Sequence, residues 1–322
     1  MRVTALIPHW NRRELLQALL ENLERQRRRF DQVLVVDNGS TDGSAEMAEQ
    51  SGARVLRIQE NRGFAYAVNR GVEETDAEWV AILNNDVTLE PDWLEVLLKA
   101  AQEHDAWFLT GKIVRARDPR VIDATFDEVS RGACAWRCGA GRLDAPVWNE
   151  PQKIRIAPMT AALVRRKLFE EIGPLDETFE SHLEDVDFGL RAACAGRYGR
   201  YQPKAVARHI GSATSGEWNK DTVRRIARNQ VLLAKKHFRG SAIWPILAGQ
   251  LLWGFVACRH GRGWSYLRGK LQGLAARPAR PQSIDWRTVK ALLEESEQHI
   301  LELQQAAGYD SYWRAYFWLS RR

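Results

Sequence analysis

The feature that most constrains this chain is an alternation near its start: short aliphatic runs of strand length, each followed by a polar loop and then by apolar residues at helical spacing. Residues 2–7, 32–36, 54–58 and 79–83 read as strands, and residues 14–23, 45–50 and 65–73 as the helices between them. Such alternation implies a mostly parallel α/β sheet, because a parallel pair needs a crossover long enough to hold a helix. Ligands of these sheets bind beyond the carboxyl ends of the strands. The loops that begin at Pro8, Asp37, Asn61 and Asn84 are therefore expected to meet at one site.

Those loops narrow the chemistry. Pro8-His9-Trp10-Asn11 lacks the glycine cluster of a dinucleotide site, and no P-loop occurs. Asp37-Asn38-Gly39-Ser40-Thr41-Asp42-Gly43-Ser44 reads as a tight turn with a helix cap. An aspartate at that strand end can also accept a hydrogen bond from a uracil or thymine ring, with Trp10 stacked beside it. Asn61-Arg62-Gly63-Phe64 opens the third loop, with Asn69 about two helical turns later. Arg62 is either an ordinary exposed arginine or a counter-charge for a diphosphate. Asn84-Asn85-Asp86 makes a turn, or it places a carboxylate where it can hold a hard cation against phosphate oxygens.

Further on, residues 155–165 and 200–207 read as looser strands that complete the sheet, separated by a helix opening near Ser181. Leu183, Val186 and Leu190 form one apolar face of that helix, and Asp185, Gly189 and Ala192 lie on the other. Ser181 and Glu184 have capping-box spacing, and Asp187 and Arg191 can pair at i, i+4. Asp185 alone has no obvious structural job. His209 stands at a strand end, where a lone histidine is more often structural than a ligand.

Read in order, the segments 8–11, 37–44, 61–64 with Asn69, and 84–86 resemble glycosyltransferase family 2, whose nucleotide-sugar-binding fold is called GT-A. The resemblance implies that Asp37 contacts the base, and that Pro8, Trp10, Asn11, Asn38, Asn61, Gly63, Phe64, Asn69 and Asn85 surround the nucleotide sugar. Asp86 would be the metal-binding acid of an Asp-x-Asp element. Asn84 and Asn85 replace the first two positions of that element, so metal binding rests on Asp86. Asp185 would be the general base, and His209 would join Asp86 at the metal or diphosphate. The family's His-x-x-Gly-x-Ser pattern is partly kept, with Thr214 and Ser215 near the serine position. Pro158-Met159-Thr160-Ala161-Ala162 lacks the glycine usual before its small residues.

The resemblance implies an inverting glycosyltransferase that uses a divalent cation, Mn²⁺ or Mg²⁺. Its donor would be a dTDP- or UDP-sugar, with rhamnose preferred by analogy. Its acceptor would be a hydroxyl of a glycan or lipid-linked molecule in cell-surface polysaccharide synthesis. One rival is a noncatalytic protein that kept the fold to bind a nucleotide sugar or to scaffold membrane glycan assembly, and retention of Asp86, Asp185 and His209 together disfavours it. Another is a nucleotidyltransferase, which often carries a glycine-rich basic loop after its first strand; residues 8–13 do not resemble one.

A length of 322 residues with 45% hydrophobic composition supports one large core plus a smaller region. The expected division is a GT-A catalytic domain at 1–215, with its donor half at 1–115 and its acceptor half at 116–215. A helical appendage follows at 216–322. The net charge of +6 is concentrated: residues 235–290 hold eleven Lys or Arg and one acid, Asp285, so the rest of the chain is net negative. Phe238, Trp244, Trp253, Phe255, Trp264, Tyr266 and Trp286 share that segment, a composition suited to a membrane surface. No nucleic-acid-binding motif accompanies the charge.

Residues 242–258 carry no charge before Arg259 but fall short of the roughly 20 residues of a membrane span. They read as a helix lying in the interface, or as a helix buried against the catalytic domain. Arg259, Arg262, Arg268 and Lys270 flank them. Tyr309, Tyr312, Trp313, Tyr316, Phe317 and Trp318 repeat the theme before Arg321 and Arg322. Cys134, Cys138, Cys194 and Cys258 are too scattered for a disulfide scaffold, and the first apolar run is too short for a signal peptide. The expected location is the cytoplasm, peripheral on the inner face of the cell membrane.

Overall fold

The computed structural model describes residues 1–211, 218–238, 243–279 and 285–320. The positions of Ser212, Thr214, Ser215, Ala242, Arg321 and Arg322, and the boundary expected at 215, lie outside the described residues.

Strands β1 (Val3–His9), β2 (Gln32–Asn38), β3 (Arg54–Ile58) and β4 (Trp79–Leu83) pair in parallel in the order β3-β2-β1-β4. Helices α1 (Arg13–Leu23), α2 (Ser44–Gln50) and α3 (Phe64–Glu73) are their crossovers. Successive side chains serve opposite faces. Leu6, Leu34, Val36, Val80 and Ile82 pack with Val68 of α3, while Ala5, Ile7, Val35, Ala81 and Leu83 pack with Leu16 and Leu19 of α1. Both faces of β1, β2 and β4 are covered, which is why these three strands read as apolar runs, while β3 at the sheet edge is half-exposed. β1 continues through Pro8 and His9, and β2 through Asp37 and Asn38, so these polar residues sit at strand ends rather than in loops.

The second half adds β5 (Val87–Leu89), α4 (Trp93–His104), β6 (Phe108–Arg115), β7 (Ile122–Ala124), β8 (Asp127–Val129), β9 (Ala135–Arg137), β10 (Gln152–Ile154), β11 (Ala161–Arg165), α5 (Arg166–Ile172), α6 (Glu184–Cys194) and β12 (Gly199–His209). β11 runs antiparallel to β4 and β6; β12 runs parallel to β6 and antiparallel to β10 and β5. The result is the expected α/β class, a central sheet flanked by helices, with the order β10-β12-β6-β11-β4-β1-β2-β3. β8 and β9 form a separate small sheet. β12 carries a bulge: its register jumps from Gln202 opposite Gly111 to Val206 opposite Lys112, leaving Pro203, Lys204 and Ala205 without partners on β6. A Cβ on Gly111 would lie 1.7 Å from the Ala205 carbonyl oxygen, so glycine is required beneath the bulge.

Helices α7 (Lys220–His237), α8 (Ile243–Arg259), α9 (Gly263–Ala275), α10 (Trp286–Ala307) and α11 (Ser311–Ser320) complete the chain. α10 and α11 are built into the core beneath the sheet: Ile300, Leu303, Trp313, Tyr316 and Phe317 join the cluster that holds Leu6 and Phe126. Ser296 on α10 donates to Glu128 on β8 and accepts the Val129 N–H at 2.8 Å. The aromatic tail read as a headgroup anchor is therefore mostly core. Trp313, Tyr316 and Phe317 are buried, and Tyr309 and Trp318 are exposed. No helix among the described residues is long and apolar enough to cross a membrane. The four cysteines are free thiols.

Candidate active site

A cleft of about 670 Å³ opens beyond the ends of β1 and β2. Pro8, His9, Trp10, Asn38, Asn61, Arg62, Gly63 and Phe64 line it from the first half, and Glu180, Ser181 and Arg225 from the rest of the chain. Asparagines knit the loops together, because one amide both donates and accepts. Asn11, in a left-handed conformation (φ 54°), donates its backbone N–H to Ser40 Oγ at 2.8 Å and accepts the Thr41 N–H at 3.0 Å. Asn38 donates to Asn61 Oδ1 and the Gly63 carbonyl, and accepts the Arg62 N–H, all within 3.1 Å. Asp37 is buried and closes its turn by accepting the Ser40 N–H at 3.2 Å. Trp10 is 49% exposed, which leaves its ring open for stacking.

Of the residues expected at the donor, the cleft lining lacks Asn11, Asp37, Asn85, Asp86 and also Asn69. Asn69 is buried, its Nδ2 donating to the Leu175 carbonyl and Glu177 Oε1 while its Oδ1 accepts the Leu175 N–H. The resemblance placed it at the donor; the structure makes it a joint between α3 and the segment after α5. A polar side chain on the buried face of an amphipathic helix needs partners, and here they are the Leu175 backbone and the Glu177 carboxylate.

β12 returns beside β5 so that His209 meets the loop after β4: His209 Nε2 lies 3.1 Å from Asp86 Oδ1, and its Nδ1 lies 2.9 Å from Asp123 Oδ2. Burial opposes charge on His209, but the bonds to Asp123 and Asp86 outweigh it and raise the pKa to about 9. Asn85 donates toward His9 Nδ1 at 2.9 Å, and burial lowers the His9 pKa to about 4 against the attraction of Asp37 and Asp42. Among the described residues no three His, Cys, Asp or Glu side chains are arranged to hold a metal ion by themselves. One carboxylate and one imidazole, the latter oriented by Asp123, do fit a divalent ion whose other positions go to phosphate oxygens and water.

The base candidate sits at the start of α6. Asp185 is buried, and its Oδ1 accepts the Val186 N–H at 2.9 Å. Burial raises its pKa above the ordinary carboxylate value, opposed by the Arg137 charge and by the amides of Val186 and Met159. Greater proton affinity suits a group that must take a proton from a hydroxyl. Asp127, 3.7 Å from Arg137, is pushed to about 7, chiefly by burial. Arg137 feels Asp127, Asp185 and Asp123 together, so one cation ties the base to the Asp123–His209–Asp86 chain.

The capping box expected of Ser181 and Glu184 does not form. Leu183 precedes the helix in a left-handed conformation without a side-chain cap, and Ser181 Oγ instead meets Arg225 at 3.3 Å. The Asp187–Arg191 pair does form, at 2.9 Å, inside a larger buried network. Lys236 of α7 bridges Asp187 and Asp176, and His237 meets Asp187 at 2.7 Å. Val186 and Leu190 are core as expected. Gly189, read as part of an open face, abuts Ile156 so closely that a Cβ would lie 2.7 Å from Cγ1, so that part of the face is packed rather than open. Sequence reasoning missed His9, Asp123, Asp127, Arg137 and Arg225. Asp123 and Arg137 stand on strands of three residues, too short to show a period.

Residues 4–173 match the profile of Glycosyl transferase family 2. The N-acetylglucosaminyl-diphospho-decaprenol L-rhamnosyltransferase of Mycobacterium tuberculosis is 28% identical over 254 residues, covering 69% of this chain and 80% of that one. The mannosyltransferase PcManGT from Pyrobaculum calidifontis, solved with GDP-Man and Mn²⁺, shares the fold at a TM-score of 0.55 and 20% identity, covering 98% of this chain and 85% of that one. GalNAc-T7, solved with UDP, GalNAc and Mn²⁺, shares it at a TM-score of 0.64 and 11% identity, covering 92% and 58%. The fold is GT-A, and with the profile spanning over half of its length this chain belongs to glycosyl transferase family 2, the nucleotide-sugar-dependent glycosyltransferases.

Proposed function

We propose that the chain catalyses inverting, metal-assisted transfer of a sugar, with rhamnose favoured, from a dTDP- or UDP-sugar to a hydroxyl of a lipid-linked or glycan acceptor in cell-surface polysaccharide synthesis. The observation that carries this reading is the pairing of Asp86 with His209 beyond β4, tied through Asp123 and Arg137 to the buried Asp185. The mycobacterial relative, named for rhamnosyl transfer to a diphospho-decaprenol acceptor, supports the choice of sugar and acceptor.

In this mechanism Trp10 stacks on the base and Asp37 accepts a hydrogen bond from it. A divalent ion held by Asp86 and His209 would supply charge neutralisation at the leaving nucleoside diphosphate. Asp185 takes the acceptor hydroxyl's proton as that oxygen attacks the anomeric carbon from the face opposite the leaving group, and a single displacement inverts the configuration.

A lipid-linked acceptor calls for peripheral contact with the inner face of the membrane, and α8 and α9 offer the surface. Ile243, Leu247, Leu251 and Phe255 recur every fourth residue on α8, and Trp264, Leu267, Leu271 and Leu274 form a second row on α9, each 43–79% exposed. Residues 243–279 contain no Asp or Glu, and Arg259, Arg268 and Arg277 are exposed around the rows. Apolar rows with a basic rim suit an anionic headgroup layer. Two of the basic residues expected at this surface turn inward instead: Arg262 donates to the Trp218 carbonyl at 2.6 Å, and Lys270 to Gln230 at 2.8 Å, where burial lowers its pKa to about 8.

A thermal-shift screen of UDP-, dTDP- and GDP-sugars with and without Mn²⁺ tests the donor site, since a ligand of the folded state raises its stability. A manganese-dependent shift with one nucleotide class is expected. No shift with any donor would favour a noncatalytic scaffold. Co-sedimentation with vesicles containing anionic lipid tests the surface, with Leu251→Ser and Phe255→Ser together expected to abolish binding.

A further inference from the structure

The backbone just before the base is strained. Glu180 has φ 60° and ψ −68°, and the Ser181 N–H reaches back to the Phe179 carbonyl at 2.7 Å, which defines a γ-turn of the rare, unfavourable hand. His182 (φ 69°) and Leu183 (φ 68°) follow in left-handed conformations, and α6 begins at the next residue. Three non-glycine residues at positive φ within four positions persist only where the surroundings over-determine them.

Two neighbours do so. On one side is the donor loop: the Ala65 N–H donates to the Glu180 carbonyl at 3.0 Å, and a Cβ on Gly63 would lie 2.8 Å from that same oxygen. On the other side is α7. Asn229, with no solvent exposure, places Nδ2 2.8 Å from the Phe179 carbonyl, 2.9 Å from that of Ser181 and 2.7 Å from that of His182. Its Oδ1 accepts from Arg228 at 2.9 Å, which fixes the end of the amide that faces the turn. Three converging carbonyls repel one another unless a donor gathers them. α7 lies beyond the segment matched to the family profile, which ends at residue 173.

We propose that Asn229 is a positioning residue for glycosyl transfer: by gathering three carbonyls it holds the strained turn that aims Asp185 and, through Glu180, seats that turn against the donor loop. The inference rests on reading Asp185 as the base.

Steady-state kinetics of Asn229→Ala and Asn229→Ser, corrected for folded fraction, test it. Misaiming a catalytic group by about 1 Å can cost about 100-fold, so Asn229→Ala is expected to lower kcat on the order of 10- to 100-fold with donor KM nearly unchanged. Asn229→Ser, which keeps one donor, should lose less. Glycine tolerates the conformation at position 180 at no steric cost, so adding Glu180→Gly to Asn229→Ala should recover turnover. A structural role alone predicts a lower Tm with full kcat per folded molecule, and that result overturns the proposal; should Asn229→Ala not fold, full kcat in Asn229→Ser does the same. Asp185→Asn, assayed in parallel, separates the two readings. If it keeps turnover, the base assignment fails. If it is inactive while Asn229→Ala runs at full rate, only the role of Asn229 fails.

Discussion

The two walls of the cleft are held by different means. In the donor wall, Asn11, Asp37, Asn38 and Asn61 fasten loops no more than 30 residues apart, each beginning where a parallel strand ends. The base wall is assembled from afar: Asn229 reaches back 47 to 50 residues, His237 reaches Asp187 across 50, and Ser296 reaches Glu128 across 168. A wall built from local loops can be recognised as a motif, whereas a wall built from distant helices exists only once the chain has folded.

Breaking the base should therefore leave the donor wall working. Asp185→Asn is expected to cost about 10²–10⁴-fold in kcat while the donor-induced thermal shift persists; retained turnover would place the base elsewhere. Lys236→Met removes the cation between buried Asp176 and Asp187, a loss of about 3–5 kcal/mol that urea denaturation would register. If the walls are independent, donor binding should outlast turnover as this variant is warmed. Gly63→Ala crosses from one wall to the other, because φ is 92° and the added methyl meets Glu180. It should cost about 1–3 kcal/mol and disturb both kcat and donor KM; an effect on donor KM alone would show that the walls do not communicate there.

The most gradual expected effect is on pH, because it is spread over several units. His9, lowered to about 4, binds fewer protons folded than unfolded, so its stabilisation is lost as pH falls from 6.5 toward 4. His209, raised to about 9, gives stability that is fully present below 6.5 and is lost as pH rises toward 9. Each acts at no more than about 1.4 kcal/mol per pH unit. Thermal melts from pH 4 to 9 should show a maximum near neutrality; a profile flat across that range would contradict both assignments.

Legibility in the sequence follows the same contrast. Residues 54–58 and 79–83 are strands with the ends read from the sequence: 79–83, buried on both faces, writes a continuous apolar signal, whereas the half-exposed edge strand at 54–58 is punctuated by Arg54 and Arg57. The Asp187–Arg191 pair was also visible, since i, i+4 spacing is local. The Ser181–Glu184 cap failed because the γ-turn at Glu180 carries Ser181 away from the helix start, and no spacing rule encodes a turn imposed by Asn229. The tail aromatics misled for a related reason: Trp313 and Tyr316 have the composition of an interface anchor but find a core. Asp123 and Arg137 became visible only when short strands brought them beside His209 and Asp185.

The bulge in β12 shows what such distant assembly means for counting residues. If Pro203, Lys204 and Ala205 paired with β6 instead of bulging, an uninterrupted register would set Val206 opposite Arg115, where His209 now stands. Side chains alternate along a strand, so moving the register by three also changes the face that each later residue presents. The reach of His209 toward Asp86 is thus specified by an odd number of backbone units upstream as much as by the imidazole. A homologue with an identical histidine but these residues paired rather than bulged would carry that ring three positions along β6 and to the other side of the sheet, and an alignment blind to the bulge would credit such a protein with a site it does not have.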